Sequence, residues 1–329
     1  MAYVAASSHA ERLHAAAEIL RTRLAARIVG LQETTELVMI SLFAGGHCLL
    51  IGVPGLAKTL LVRSIADALD LDFRRIQFTP DLMPSDITGA EVIAEDVESG
   101  ARDFRFRKGP IFGNVVLADE INRTSPKTQA ALLEAMEERT VTIGGRRHEL
   151  DDPFCVLATQ NPIEQAGTYP LPAAQLDRFM FLVKLEYPTR DDEMRIVRLT
   201  TAPASEPAGA LVSKAELLAI REAIAASAPP RQATAAATTL ARRTRPGEKD
   251  APETVKKYVQ WGVGPRGAQH LVQGAKVRAA LRGRTAPTVD DVRALVLPAF
   301  RHRLRVNFQA QADEVDEDHI LNALLDGTA

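Results

Sequence analysis

The stretch Ile51-Gly52-Val53-Pro54-Gly55-Leu56-Ala57-Lys58-Thr59 constrains this chain more than any other. Cys48-Leu49-Leu50-Ile51 before the loop is an apolar run of strand length, and the residues from Leu60 to Leu69 after it carry helical periodicity with no breaker. The order is therefore strand, tight loop, helix. Such a loop wraps a chain of phosphates with its backbone N–H groups, and the helix N-terminus adds the positive end of its dipole. The expected nucleotide-binding set is Gly52, Val53, Pro54, Gly55, Leu56, Ala57, Lys58, Thr59 and Leu60. Within it Lys58 reaches the β- and γ-phosphates of ATP and the Thr59 hydroxyl sits on Mg²⁺. The general pattern has Gly where this chain has Ala57, so a methyl group must avoid both the phosphates and a strained backbone angle.

A second chemical site follows from Asn114-Val115-Val116-Leu117-Ala118-Asp119-Glu120, an apolar strand ending in adjacent carboxylates. A strand of this kind belongs in the middle of a parallel sheet, whose C-terminal end is where ligands bind. Asp119 is placed to hold Mg²⁺ and bound nucleotide, and Glu120 to orient or deprotonate the water that attacks the γ-phosphate. The buried run 154–159 leads into Gln160-Asn161-Pro162, where Asn161 is expected to hold the attacking water or the γ-phosphate. Arg178, just before the apolar strand 181–185, is expected at the ligand-binding end of the sheet as an arginine finger. Arg266, beside Pro265 at a helix start, is positioned to report nucleotide state, and the backbone of Val29 and Gly30 to meet an adenine ring.

The rest of the chain is organised around these motifs. Ser8 and Glu11 have capping-box spacing and predict a first helix with an apolar face of Leu13, Leu20, Leu24 and Ile28. A second helix, 33–43, stops at Gly45-Gly46. Residues 73–78 form a strand. Residues 89–93 and 104–107 alternate, with the acidic stretch 95–100 between them, and predict a projecting hairpin or strand–helix–strand insert. Gly144-Gly145 between alternating runs marks a two-residue hairpin, on which His148 is expected to be solvated. Residues 201–209 have linker composition, and beyond them the chain reads as helical at 213–227, 265–281 and 290–297. Residues 228–253 read as partly flexible and 313–318 as a solvated acidic surface. The expected division is an α/β nucleotide-binding domain with its N-terminal helix at 1–199 and a helical lid at 200–329.

At 329 residues the chain is long enough for both units, since about 100 to 200 residues per domain is usual. A net charge of −2 and a pI near 6.4 give no global electrostatic footprint for nucleic acid. The first residues lack the basic start and apolar run of a signal peptide, and no stretch approaches a membrane span, so a cytoplasmic protein is expected. The two cysteines, Cys48 and Cys155, lie in apolar runs and read as core residues.

Taken together the motifs resemble the MoxR family of AAA+ ATPases over nearly the whole chain. The residues that carry the likeness are Gly52 to Thr59 as Walker A, Ala118-Asp119-Glu120-Ile121-Asn122-Arg123 as Walker B, and Thr159-Gln160-Asn161-Pro162 as sensor 1. The stretch from Glu164 through Gly167-Thr168-Tyr169-Pro170 to Leu176-Asp177-Arg178-Phe179 is similar to the arginine-finger region, and Gly264-Pro265-Arg266 to sensor 2. Ala57 is usual in this family. The segment 89–108 resembles its helix 2 insert and 140–150 the hairpin before sensor 1. The resemblance implies a P-loop AAA+ core with a parallel sheet flanked by helices and a small all-helical lid. It implies a hexameric, Mg²⁺-dependent ATPase that remodels protein partners, often with a protein containing a von Willebrand factor A domain. A nucleic-acid motor like the related MCM helicases, and a nucleotide-binding scaffold that does not hydrolyse, are the competing readings.

Overall fold

The computed structural model describes residues 2–25, 28–95, 102–163, 167–201 and 209–327. Most of the acidic stretch 95–100, the expected linker 201–209 and Glu164 fall wholly or largely outside them. In chain order the elements are α1 (Ala2–Ala25), α2 (Gln32–Ala44), β1 (Cys48–Ile51), α3 (Lys58–Ala68), β2 (Phe73–Gln77), α4 (Pro84–Thr88), β3 (Gly89–Glu95) and β4 (Arg102–Lys108). Then come β5 (Val115–Asp119), α5 (Pro126–Glu138), β6 (Thr140–Ile143), β7 (Arg146–Glu149), β8 (Cys155–Gln160), α6 (Ala173–Leu176), β9 (Phe181–Lys184) and α7 (Arg190–Thr201). The remainder is α8 (Lys214–Ala226), α9 (Arg231–Arg243), α10 (Glu253–Tyr258), β10 (Val259–Trp261), α11 (Pro265–Leu281), α12 (Val289–Ala294), α13 (Val296–Phe300), β11 (Arg305–Val306), α14 (Phe308–Ala312) and α15 (Glu317–Asp326).

The apolar runs that alternate with helices assemble into one parallel five-stranded sheet in the order β2-β5-β8-β1-β9. Both faces are covered, as a parallel sheet requires. Within β1, Leu50 joins the core shared with α1, α2, α3 and the lid, and Leu49 joins the opposite core under α5. Cys48 and Cys155 are buried, unpaired thiols in these layers. The first helix begins at Ala2, so Ser8 lies inside it and not at its start.

Two hairpins stand apart from the sheet. The insert is the antiparallel pair β3–β4, with Ile93 opposite Phe104, which resolves the choice between hairpin and strand–helix–strand. In β6–β7 the turn residues Gly144 and Gly145 take φ +56° and +76°, the doubly positive geometry a two-residue turn needs. His148 is not solvated as expected. Its ring stacks on Phe106 of the insert at 4.2 Å between centroids, with Phe112 edge-on to Phe106 at 5.5 Å.

The region beyond 213 is helical apart from a two-stranded ribbon, β10–β11. Residues 228–253 are not flexible for the most part. Ala233, Ala237, Leu240 and Ala241 form a buried stripe on α9, whose small side chains let it lie close against α11. In turn α11 seats on the sheet edge, where a Cβ on Gly274 would meet the Phe181 ring at 3.1 Å. The acidic run 313–318 is also partnered: Asp316 caps α15 through His319 N–H at 2.8 Å, and Asp318 binds Lys184 at 2.6 Å.

Asp291 fastens the lid internally. Its side chain is 1% exposed and receives Arg278 and Arg284, each at 2.7 Å. Burial alone would raise its pKa, but hydrogen bonds from Arg284 and from the backbone and hydroxyl of Thr288 outweigh that and hold the carboxyl well below the usual range. Removing one partner of a buried pair costs about 3–5 kcal/mol, so urea unfolding of Asp291→Ala should show a loss of that size. A depressed folded pKa stabilises above the unfolded value of about 3.9 and loses that contribution as pH falls through the folded value. The wild-type urea midpoint should therefore fall below about pH 4 more steeply than that of Asp291→Ala.

Candidate nucleotide site

β1 ends at Ile51, and the chain turns through Gly52, Val53, Pro54, Gly55, Leu56 and Ala57 into α3, whose first turn holds Lys58, Thr59 and Leu60. The turn is tight. A Cβ on Gly52 would lie 2.7 Å from Leu185 Cβ, and Gly55 takes φ +87°. Ala57 is left-handed at φ 53°, ψ 22°, a conformation that costs an L-residue roughly 1–2 kcal/mol. The methyl is accommodated at that strain. No side chain caps α3, so its first-turn N–H groups remain available to an anion. Lys58 Nζ donates to Gly52 O at 2.6 Å. Burial lowers the Lys58 pKa, and the carboxylates of Asp119 and Glu120 oppose that shift.

The two carboxylates are held by neighbours on β8 and β2 and by the turn that follows β5. Thr159 Oγ1 on β8 donates to Asp119 Oδ1 at 2.6 Å and accepts from Glu120 N–H at 2.8 Å. Arg75 on β2 donates to Asp119 Oδ2 at 2.6 Å. Gln77 Nε2 and Arg123 Nη1 reach Glu120 Oε2 at 3.1 and 2.8 Å, and Glu120 itself is left-handed at φ 60°. Arg75 and Gln77 were not expected at the site, and Thr159 and Arg123, though within the sensor 1 and Walker B stretches, had no role assigned. The register Gln77↔Asp119 brings the first two to the site, and such cross-strand neighbours leave no local signal in a sequence. Asn161, 6% exposed, follows β8 at the same end of the sheet and accepts Ile163 N–H at 3.2 Å.

This donor set fits Mg²⁺ bound with a nucleotide. Asp119 and the Thr59 hydroxyl are hard oxygen donors, and among the described residues there is no cluster of three or more metal-binding side chains. Mg²⁺ in phosphate sites takes one or two protein oxygens and completes its shell with water and phosphate. Arg75 neutralises the carboxylate that such a cation needs. Arg75→Ala should lower the Mg²⁺ concentration for half-maximal nucleotide binding roughly three- to tenfold, the effect of removing one charge at close range from a half-exposed site. Calorimetric titration would measure it.

Beside the loop lies a cavity of about 520 Å³ between the segment after β9, the start of α2 and the lid. Gly30, Leu31, Tyr187, Asp192, Leu297 and Pro298 are among its walls, and Leu185 links it to Gly52. Its walls are mixed: Leu31, Leu297 and Pro298 offer apolar surface to a planar base, and Glu33, Thr189 and Asp192 offer polar groups to its edge. Gly30 lines it, while Val29 is buried at 5% exposure and does not. Leu297 and Pro298 come from the far end of the chain and were not anticipated.

Arg178 is placed differently from expectation. β9 runs parallel to β1 with Phe181 opposite Cys48 and Lys184 opposite Ile51. Arg178 therefore precedes the N-terminal end of the sheet, a strand length of roughly 10 Å from the level of Gly52. The expectation overlooked that in a parallel sheet a residue just before a strand lies at the end opposite the ligand-binding one. There it bonds Leu133 O at 2.5 Å and Glu137 at 2.7 Å. Arg266 joins it, bonding Glu137 at 3.2 Å and Asp177 at 3.3 Å. The two arginines thus form one cluster on the side of the molecule away from the loop.

Residues 47–181 match the ATPase family associated with various cellular activities (AAA), and residues 251–324 match the AAA lid domain. Chaperone MoxR1 of Mycobacterium tuberculosis is 39% identical over 92% of this chain and 79% of its own length. Protein MoxR of Paracoccus denitrificans is 32% identical over 91% and 90%. A crystal structure from Cytophaga hutchinsonii, of a protein described as an ATPase candidate, superposes with a TM-score of 0.88 at 37% identity, over 97% of this chain and 96% of that one. With the loop, the paired carboxylates and the lid all in place, the chain belongs to the MoxR family of AAA+ ATPases.

Proposed function

We propose that the protein is a Mg²⁺-dependent ATP hydrolase that works as a closed ring, most simply a hexamer, and remodels protein partners. The observation that carries this reading is the separation of the site into two halves. Lys58, Thr59, Asp119, Glu120 and Asn161 gather at one end of the sheet, whereas Arg178 and Arg266 cluster beyond the other. A ring lets the arginines of one copy complete the nucleotide site of the next.

The residues divide the work accordingly. The Gly52–Ala57 turn and Lys58 bind and orient the phosphates, and Glu120 takes a proton from the attacking water. Thr59 and Asp119 would hold Mg²⁺, which would supply positive charge to offset that of the phosphates. Asn161 fixes the water, and Arg178 and Arg266 stabilise charge on the transferred group. The relative named as a chaperone supports protein partners, and a partner carrying a von Willebrand factor A domain is the class we expect. The near-neutral net charge of −2 supports no nucleic-acid partner. Among the described residues no helix is long and apolar enough to cross a membrane. We place the protein in the cytoplasm, where two unpaired thiols are at home. We divide the chain at 199/200 into nucleotide-binding and lid domains.

A ligand held between subunits favours the assembly by mass action. Sedimentation of Glu120→Gln should therefore show a large ring with ATP and smaller species without it. A monomer under both conditions, at protein concentrations well above micromolar, counts against the ring.

A further inference from the structure

The ribbon of the lid carries an outward tryptophan. Val259 pairs with Val306 and Trp261 with Arg305, so β10 spends two residues where β11 spends one. This bulge re-aims the side chain: Val259 is 4% exposed, while Trp261, which plain alternation would put on the same face, is 52% exposed. It is the only tryptophan in the chain. Trp261 stands at a cleft of about 370 Å³ between the ribbon and the sheet edge, whose walls include Leu176, Leu182, Lys184, Arg301 and Arg305. Lys184 and Arg301 share Asp318. Arg305 has no acidic partner among the described residues.

We propose that this cleft seats a second copy of the chain, and that the occupant is the neighbour's segment from Tyr187 to Glu193. The proposal rests on the reading that Arg178 and Arg266 act across a subunit boundary. Continuity of the surface supports it. Arg266 bonds Asp177, Asp177 bonds Arg303 at 2.7 Å, and Arg303 lines the cleft, which therefore begins one ion pair away from the arginines. A neighbour whose nucleotide meets those arginines brings the rim of its own nucleotide cavity to the same surface. Tyr187 and Asp192 line that cavity.

The chemistry of the two surfaces is complementary. Tyr187 is 70% exposed and offers a ring to Trp261. Asp191 and Glu193 are exposed, sit in the first turn of α7 and have no ion-pair partner among the described residues, which suits Arg305; the other cations of the wall are paired within the chain, and Glu317 is its acidic member. Trp, Tyr and Arg are the side chains that most often dominate binding at an interface.

Two measurements test the assignment with the contact residues left intact. Gln311→Cys, in the cleft wall, and Arg190→Cys, an exposed position within the segment, are made on separate chains that both carry Glu120→Gln. The native thiols are buried, and burial pushes that of Cys155 up to about 12, so both remain unreactive. Mixed with ATP and a short bis-maleimide, the two variants should give a cross-linked pair that neither gives alone. In Glu120→Gln itself, ring formation should cut acrylamide quenching of Trp261 roughly threefold as water is excluded. A ring that forms without the mixed cross-link and leaves Trp261 as quenchable as in the monomer overturns this proposal alone. The absence of any ring overturns it together with the reading it rests on.

Discussion

Glu120→Gln should bind ATP close to normally and hydrolyse it on the order of 10²–10⁴ times more slowly, the usual contribution of a positioned general base. The amide keeps an acceptor toward Gln77 and Arg123, which now hold Glu120 Oε2, so geometry is retained while the basic charge is lost. Lys58→Ala separates binding from chemistry in the opposite sense. It removes the ammonium beside Gly52 and the two carboxylates, and with it a charge-assisted contact to phosphate. Its loss should appear as weakened nucleotide binding in equilibrium titration. Wild-type turnover by Glu120→Gln with Mg²⁺ present would remove Glu120 from the role assigned to it.

Mixing two inactive variants should restore ATP hydrolysis. Arg178→Ala retains an intact phosphate loop, and Lys58→Ala retains Arg178. In a mixed ring, an Arg178→Ala subunit lying beside a Lys58→Ala subunit has both halves of a site. An arginine finger is worth about 10³–10⁵ in rate in P-loop enzymes, so even a minority of such interfaces should stand clear of the background of either variant. The register of β9 against β1 makes the cis alternative geometrically demanding, since Arg178 lies beyond the opposite end of the sheet from its own Gly52. Activity that stays absent in rings proven to contain both variants would mean that Arg178 serves its own subunit.

Features governed by neighbours in the chain were legible in advance. The apolar run before Gly52 became β1 between the residues expected, and Gly144-Gly145 turned as its two positive φ values require. Contacts at the site that depend on another strand were not legible. Thr159 binds Asp119 because β8 lies beside β5, and Arg75 and Gln77 reach the carboxylates because β2 lies on the other side. The Ala/Thr-rich stretch at 231–243 looked loose because it has few large apolar residues, yet small side chains are what a close contact with α11 requires. His148 was misjudged for a related reason: its partner Phe106 lies on a different hairpin.

That aromatic contact has a mechanical meaning. The insert bears on His148; His148 pairs across the hairpin with Val141 on β6; and β6 follows directly from the end of α5. That end of α5 carries Glu137, which grips both Arg178 and Arg266. The insert and the two arginines are therefore links in series, like springs joined end to end. In such a series the softest link sets how much of any displacement is transmitted, and here that link is a stacked pair of rings rather than a hydrogen-bonded strand.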